Sequence, residues 1–314
     1  MDTVKRAPFR WHSTISYKLV DKIVSRGYDT TELVEKGYGI ADLIFINYQA
    51  RIPMIEETRM LDYLMILCLD EGLSTPVAIS RFVAQGDNLL TQAVGASVLA
   101  FGNVYGAFQT HGRMLESYRD RAEREHRDLK AMAEILVKEN EGSLTLGVSN
   151  LMVRDPAPKR VFERAERLGV AGRHIDLQRR IVQEAQRNSS EPVDLDMLGA
   201  IGATMLDLGF TPEATWTIVA IVRAFGSGAH AIEEEEREPR HAFGESLTPK
   251  DLYDGPAERA VPPAADRDRI AKPGQDRTVE AWKRSLEERK KLTGSGHSIV
   301  EAVEDSRKTV KTRP

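Results

Sequence analysis

A mainly α-helical fold is predicted by three observations. Apolar residues recur at i, i+3, i+4 spacing through most of the chain; Gly and Pro stand where those patterns stop; and no run of β-branched residues bounded by turns alternates as a strand would. The first strong helix opens at Glu56-Glu57-Thr58-Arg59 and carries Met60, Leu61, Leu64, Met65, Leu67 and Cys68, before Gly72 and Pro76 end it. A second runs from Pro76 to Gln85 and stops near Gly86-Asp87-Asn88. The Ala/Val/Leu-rich stretch from Thr91 to Phe101 is a third, and Gly95 in its interior predicts a close backbone-to-backbone packing. Leu89 to Gly112 lacks formal charge, but Thr91, Gln92, Asn103, Gln109 and Thr110 make it too polar to face lipid. It reads as a buried helix followed by a loop.

Tyr118 to Glu139 reads as one charged amphipathic helix with Leu129, Met132, Ile135 and Leu136 on its apolar side. A loop from Asn140 to Asp155 contains Gly142, Gly147 and Asn150. Further helices are expected at Pro158 to Leu168, Ile175 to Arg187, Leu195 to Asp207 and Thr211 to Phe225, with Pro212 suited to a first turn. Beyond Pro256 the composition becomes charged and proline-marked, through Pro262-Pro263, Pro273 and Gly294-Ser295-Gly296. Residues Ala257 to Lys311 read as a polar tail with one thinly apolar helical stretch, Val279 to Lys291.

The 314 residues suffice for one large or two modest domains. With 44 Lys+Arg against 48 Asp+Glu, the formal net charge of −4 gives no electrostatic footprint for nucleic acid. One cysteine, Cys68, excludes an intrachain disulfide and a cysteine-based zinc cluster. The amino-terminal residues lead into Trp11-His12-Ser13 without an apolar core, so no secretory signal is read and a cytoplasmic location is expected, with no membrane partner.

Four stretches, in order, resemble the citrate synthase/citryl-CoA lyase family, including the lyase portion of ATP-citrate lyase. Gly27-Tyr28-Asp29, Gly39-Ile40-Ala41-Asp42 and Arg51-Ile52-Pro53 are similar to its opening R-G-Y-D … G-R-L-P. Leu69-Asp70-Glu71-Gly72 stands on A-D-H-G, Phe101-Gly102-Asn103-Val104-Tyr105-Gly106-Ala107 on G-x-x-H-G-G-A, and Arg154-Asp155-Pro156-Ala157-Pro158-Lys159-Arg160-Val161-Phe162 on D-P-R-x-P-R-x-F. Downstream, Asp196-Met197-Leu198-Gly199-Ala200-Ile201, the run from Arg223 through His230 to Glu234, and Tyr253-Asp254-Gly255-Pro256 continue the likeness, which spans about residues 10 to 256.

The resemblance implies an all-α, citrate synthase-like fold and a homodimer. A large helical domain would be built from 1–85 and 200–256, a smaller mobile helical domain from 86–199, and the 257–314 tail would be disordered in part or packed on the partner subunit. It implies a coenzyme A thioester as substrate and a carboxylic acid partner, with no metal or redox cofactor. The family makes or breaks the bond between the methyl carbon of acetyl-CoA and a keto acid. Removing that proton needs a carboxylate base and a donor to the enolate oxygen.

Here Asp155 keeps the base position, whereas Glu71 and Tyr105 replace the two family histidines, so catalytic roles fall on Asp155, Glu71 and Tyr105. Arg223 would grip a substrate carboxylate, with His230 and, more loosely aligned, Arg240 beside it. Gly147, Val148, Ser149 and Asn150 stand on the family's CoA-approaching loop, where Val148 replaces a third histidine; Arg154, Lys159 and Arg160 are candidates for CoA phosphates.

Each position also has a plain structural reading. Glu71 could cap a helix end, Tyr105 could pack, Asp155 could cap the next helix, and the three basic side chains could be solvated. His111 reads as serving a structural or surface role rather than as a displaced catalytic imidazole, His230 as pocket lining or a tie between helices, and the acidic run Glu233 to Glu236 as a solvated face.

The missing histidines move the expected reaction away from the usual citrate pair. It becomes an acyl-CoA C–C lyase or synthase acting on another hydroxyacyl-CoA or keto acid. An altered acyl-CoA-binding subunit, or a thioester hydrolase or decarboxylase on the same fold, are the alternatives.

Overall fold

A computed structural model describes residues 12–102, 107–140, 143, 145–150 and 156–238, with isolated positions between 255 and 264. The chain enters through a feature the sequence reading did not anticipate, a three-stranded antiparallel meander. Its strands are β1 (Ser16–Lys18), β2 (Ile23–Ser25) and β3 (Tyr28–Asp29), with Tyr17 opposite Val24 and Val24 opposite Asp29. Arg26 and Gly27 turn the β2–β3 corner at φ 49° and 91°, the two successive left-handed residues of a primed hairpin turn. An arginine in the first of those positions hides the turn from pattern reading; its guanidinium compensates by donating to the Asn47 carbonyl at 3.0 and 3.2 Å. Asp29 then caps α1 (Thr30–Glu35), accepting from the Thr31 and Glu32 N–H groups.

Apart from one two-stranded ladder, the remaining elements among the described residues are helical, as expected. α2 (Ile40–Gln49) and α3 (Ile55–Cys68) are joined by Arg51-Ile52-Pro53. Arg51 binds both oxygens of Glu57 at 2.7 Å and lies 5.0 Å from the Phe45 ring centroid, while Glu57 also accepts from the Met54 N–H at α3's start. Burial opposes ionisation of Glu57, but Arg51 and that N–H outweigh it and hold the carboxyl below the ordinary range.

α4 (Thr75–Gln85) and α5 (Leu90–Ala100) follow. The close packing expected at Gly95 is not found: a Cβ placed there would meet nothing within 4 Å among the described residues. The expected loop after α5 is shorter than anticipated, since α6 (Phe108–Arg124) begins at Phe108.

The single helix expected over 118–139 is two. α6 ends at Arg124, His126 takes φ 52°, the Arg127 N–H returns to the Ala122 carbonyl, and Asp128 caps α7 (Leu129–Glu139) through the Ala131 N–H at 2.7 Å. The five consecutive charged or imidazole residues 124–128 offer nothing to bury, so the chain turns there at little cost.

β4 (Val148–Ser149) pairs antiparallel with β5 (Asp194–Leu195), and between them lie α8 (Ala157–Arg167) and α9 (Arg173–Asn188). α10 (Met197–Asp207) is capped by Asp196, whose carboxyl accepts from the Gly199 N–H at 2.9 Å. Asp207, at the other end of α10, serves α9: its carboxylate accepts from the N–H groups of Gly172, His174 and Ile175 and from His174 Nδ1. With Arg119 donating to Nε2 at 2.9 Å, the His174 ring carries its proton on Nδ1, so this histidine fastens three helices together.

α11 (Pro212–Arg237) extends twelve residues past the expected Phe225 and takes the acidic run with it. Glu234 within that run is buried, accepting from Gln85 Nε2 at 2.6 Å and pairing with Arg81 at 2.5 Å, so part of the supposed solvated face ties α11 to α4.

The core joins α2, α3, α6, α7, α9 and α10 through Phe45, Met60, Leu64, Leu115, Leu136, Ile181 and Ile201, all essentially without exposure. Phe45 and Phe210 pack with their rings tilted by 48°, 4.7 Å between centroids. Chain contacts group residues 1–245 into one compact unit and 246–314 into another.

Candidate functional site

Two clusters of side chains emerge from the predicted positions. The first lies where the end of α3 meets the middle of α11. Gly226 makes this junction possible: a Cβ there would collide with the Leu69 carbonyl and lie 3.2 Å from Asp70 Cα. With the helix that close, Arg223, one turn earlier, reaches the carboxylate of Glu71 and forms an ion pair with its Oε1.

Arg223 is 8% exposed as a residue. Its guanidinium carbon lies 5.6 Å from the Phe101 ring centroid and 5.7 Å from that of Phe108. Trp216, two turns earlier on α11, stacks on Phe108 and meets Phe101 edge-on, each at 6.1 Å. An aromatic wall therefore fixes the guanidinium in a low-dielectric setting, where its charge acts strongly on any nearby carboxylate.

Glu71 lies at the surface with its carboxylate turned inward, the side chain keeping 28% exposure. Burial raises its pKa above the usual carboxylate range even though Arg223 pulls the other way. A carboxylate with a raised pKa is a better proton acceptor near neutral pH than an ordinary glutamate. Beneath it, Cys68 is buried, and desolvation pushes its thiol up to about 12, with Glu71 adding to the shift and Arg223 opposing it. His230, two turns beyond Arg223, places Nε2 3.2 Å from Asp70 Oδ1 and Nδ1 3.7 Å from Glu233. It thereby ties α11 to the same Asp70–Glu71 segment.

The second cluster surrounds the β4–β5 ladder. Gly147, at φ 69°, abuts Gly199 so closely that neither position has room for a side chain, and Gln178 Nε2 donates to the carbonyls of Leu146 (2.9 Å) and Gly147 (3.2 Å). Val148 and Ser149 are half-buried in the ladder, and Asn150 donates to Glu191 Oε2 at 2.7 Å. Lys159 pairs with Asp194 at 2.7 Å while staying largely exposed, and Arg160 is exposed on α8. This loop is held rigidly on the start of α10, with Lys159 and Arg160 available at its edge.

Asp155, Tyr105, Arg154 and Arg240 lie outside the described residues. The sequence reading missed Phe101, Phe108 and Trp216 as the wall around Arg223; the seven-residue spacing of Trp216 and Arg223, which puts both on one helix face, was the available signal. It also missed Gly226 and Asp70, whose parts depend on a contact 156 or more residues apart in sequence. His111 is settled as structural: fully buried, it is bound through Nδ1 to the Thr145 carbonyl at 2.7 Å, and its ring fills the space above Gly202. No group of three His, Cys, Asp or Glu side chains among the described residues is arranged to hold a metal ion, and no described helix is long and apolar enough to cross a membrane.

No protein-family model matches the sequence, and neither does any curated protein sequence. Solved structures do. The citryl-CoA lyase of Hydrogenobacter thermophilus superposes with a TM-score of 0.70 at 27% identity, over 80% of this chain and 97% of that one. Its fold is that of the citrate synthase/citryl-CoA lyase family. Other solved proteins of that family share the fold at lower identity. The ATP citrate lyase of Methanosaeta concilii, solved with (3S)-citryl-CoA, gives a TM-score of 0.61 at 14% identity over 85% of this chain, which spans only 44% of that protein. The citrate synthase of Thermoplasma acidophilum, in complex with carboxymethyl coenzyme A and oxaloacetate, gives 0.57 at 19% identity, over 73% of this chain and 60% of that one. The first cluster thus brings together the segment that resembles A-D-H-G and the arginine expected to grip a substrate carboxylate.

Proposed function

We propose that the protein cleaves or forms the C–C bond of a β-hydroxyacyl-CoA other than citryl-CoA. The observation that carries this reading is the Glu71–Arg223 pair against its aromatic wall, at the place where the family pattern has a histidine and a substrate-binding arginine. In the cleavage direction Glu71 takes the proton of the β-hydroxyl. The Cα–Cβ bond breaks to leave a carbonyl compound, and its electron pair passes into the thioester enolate. Tyr105 donates to the enolate oxygen, and Asp155 supplies a proton to the α-carbon, giving acetyl-CoA. The raised pKa of Glu71 suits the first step. The loop of Gly147 to Asn150, with Arg154, Lys159 and Arg160, is assigned to the CoA moiety, Arg223 and His230 to the acyl end, and Arg240 to a supporting contact. A smaller domain over 86–199 that closes on the thioester belongs to the same proposal, as do a homodimer and a cytoplasmic location.

The test is incubation with a panel of β-hydroxyacyl-CoA esters, with products followed by mass spectrometry. A matched pair of acetyl-CoA and carbonyl product is expected, and Asp155→Asn is expected to slow it by roughly 100-fold or more. Release of free CoA without a carbon fragment identifies a thioester hydrolase instead. Binding of thioesters, seen as a raised melting temperature, with no turnover of any ester identifies an acyl-CoA-binding subunit. The absent histidines favour that second reading over a hydrolase. If no CoA thioester shifts the melting temperature, the proposal fails.

A further inference from the structure

We infer that Glu71 is a built-in substitute for a substrate carboxylate, so that the preferred acyl chain carries an uncharged group where relatives of this fold would present an acid. The inference rests on the reading of the first cluster as an acyl-CoA site, and it narrows the substrate class of that site. Arg223 is the cation that the family pattern offers to the acid partner, and in this chain Glu71 binds it from the position of a family histidine. The guanidinium is immobilised against Phe101 and Phe108, with Trp216 behind them, so it cannot swing away to serve a second anion elsewhere. Glu71 is equally constrained, because Gly226 holds the Leu69–Asp70 backbone against α11 and His230 fastens Asp70 to the same helix.

A substrate carboxylate entering this pocket meets three costs. It must share a cation that is already neutralised, it lies next to a like charge in a weakly polarisable setting, and it gives up its own hydration. A methyl or other uncharged group meets none of them and gains contact with the aromatic wall. Charge at position 71 thus selects between two esters of nearly the same shape.

Malyl-CoA and 3-hydroxybutyryl-CoA make that comparison, since they differ by a carboxylate in place of a methyl on the hydroxyl-bearing carbon. Dissociation constants for both are measured by calorimetry on the wild-type protein, Glu71→Gln and Glu71→Ala, with acetyl-CoA as the common reference. The wild type is expected to bind 3-hydroxybutyryl-CoA at least tenfold more tightly than malyl-CoA. Glu71→Gln, which keeps the volume and removes the charge, is expected to bring the two within about threefold. Glu71→Ala, which also opens space beside Arg223, is expected to favour malyl-CoA, each ester's affinity being read as a ratio to that of acetyl-CoA for the same variant.

A wild-type protein that binds malyl-CoA as well as its uncharged counterpart overturns the inference, as does a preference unchanged in both variants while acetyl-CoA still binds. If acetyl-CoA and both esters fail to bind the wild type, the acyl-CoA reading and the inference fall together. The acetyl-CoA control therefore tells the two failures apart. Because the readout is binding rather than turnover, loss of Glu71 as a base does not obscure it.

Discussion

His111 has no exposed surface, donates through Nδ1 to the Thr145 carbonyl, and presents Nε2 to a buried setting with no partner among the described residues. Since a carbonyl only accepts, Nδ1 carries a proton. Burial pushes its pKa down to about 4, against an ordinary value of 6.5. A lowered pKa means that the unfolded chain binds the proton first, so the associated stability is complete above pH 6.5 and drains away as the pH falls toward 4. The full change is roughly 3 kcal/mol. Urea unfolding at pH 7.5, 5.5 and 4.5 checks it against His111→Gln, which keeps a donor for Thr145 but cannot ionise. The variant's deficit is expected to shrink as the pH falls, and a deficit independent of pH would contradict this account. At the same scale, the identities of Glu71, Arg223 and His230 were legible because they stand at recognisable places in an ordered set of motifs. Their mutual contact was not, because the ion pair and the Asp70–His230 bond join residues 152 and 160 positions apart.

Most helices could be placed from periodicity and stop signals, because each buries an apolar stripe and ends on a recognisable breaker. The failures have specific causes. The β meander consists of strands of two or three residues, too short for alternation to register, and its turn uses Arg26 where Gly or Asn is the usual cue. The α6–α7 break has no glycine or proline; it depends on His126 adopting a left-handed conformation. The run past Phe225 continues α11 because Glu234 finds Arg81 and Gln85 on α4, a tertiary effect no local pattern contains.

Gly226 gives the sharpest test of an element contact. Gly226→Ala drives a methyl into backbone rather than into a movable side chain, so about 2 kcal/mol of destabilisation is expected. The Leu69–Glu71 segment should also move off Arg223, weakening binding of acetyl-CoA thioesters by more than the stability loss accounts for. Denaturant midpoints and calorimetric affinities on the same preparation separate the two effects.

Across the whole molecule, the outward side of α11 carries Ile221, Phe225 and Ile232 in one stripe, 45–64% exposed, and neighbouring α5 adds Leu99 at 89% with open space at Gly95. These α4–α5–α11 surfaces are the place where the proposed second copy would dock, since a glycine facing open space permits a neighbouring backbone to approach closely. Phe225→Glu is then expected to convert a dimer to a monomer in sedimentation velocity at micromolar concentration, with the helical circular dichroism unchanged. An unaltered sedimentation coefficient would place the interface elsewhere.

Cys68, the only sulfhydryl in the chain, is buried among Ile201, Met205, Val219 and Val222 of α10 and α11, three residues before Glu71, and resists becoming the reactive thiolate while those helices are in place. Labelling chemistry can therefore reach it only during moments when α3 parts from α10 and α11. The molecule carries its own stopwatch for breathing at the pocket floor, and occupancy of the pocket should slow its ticking.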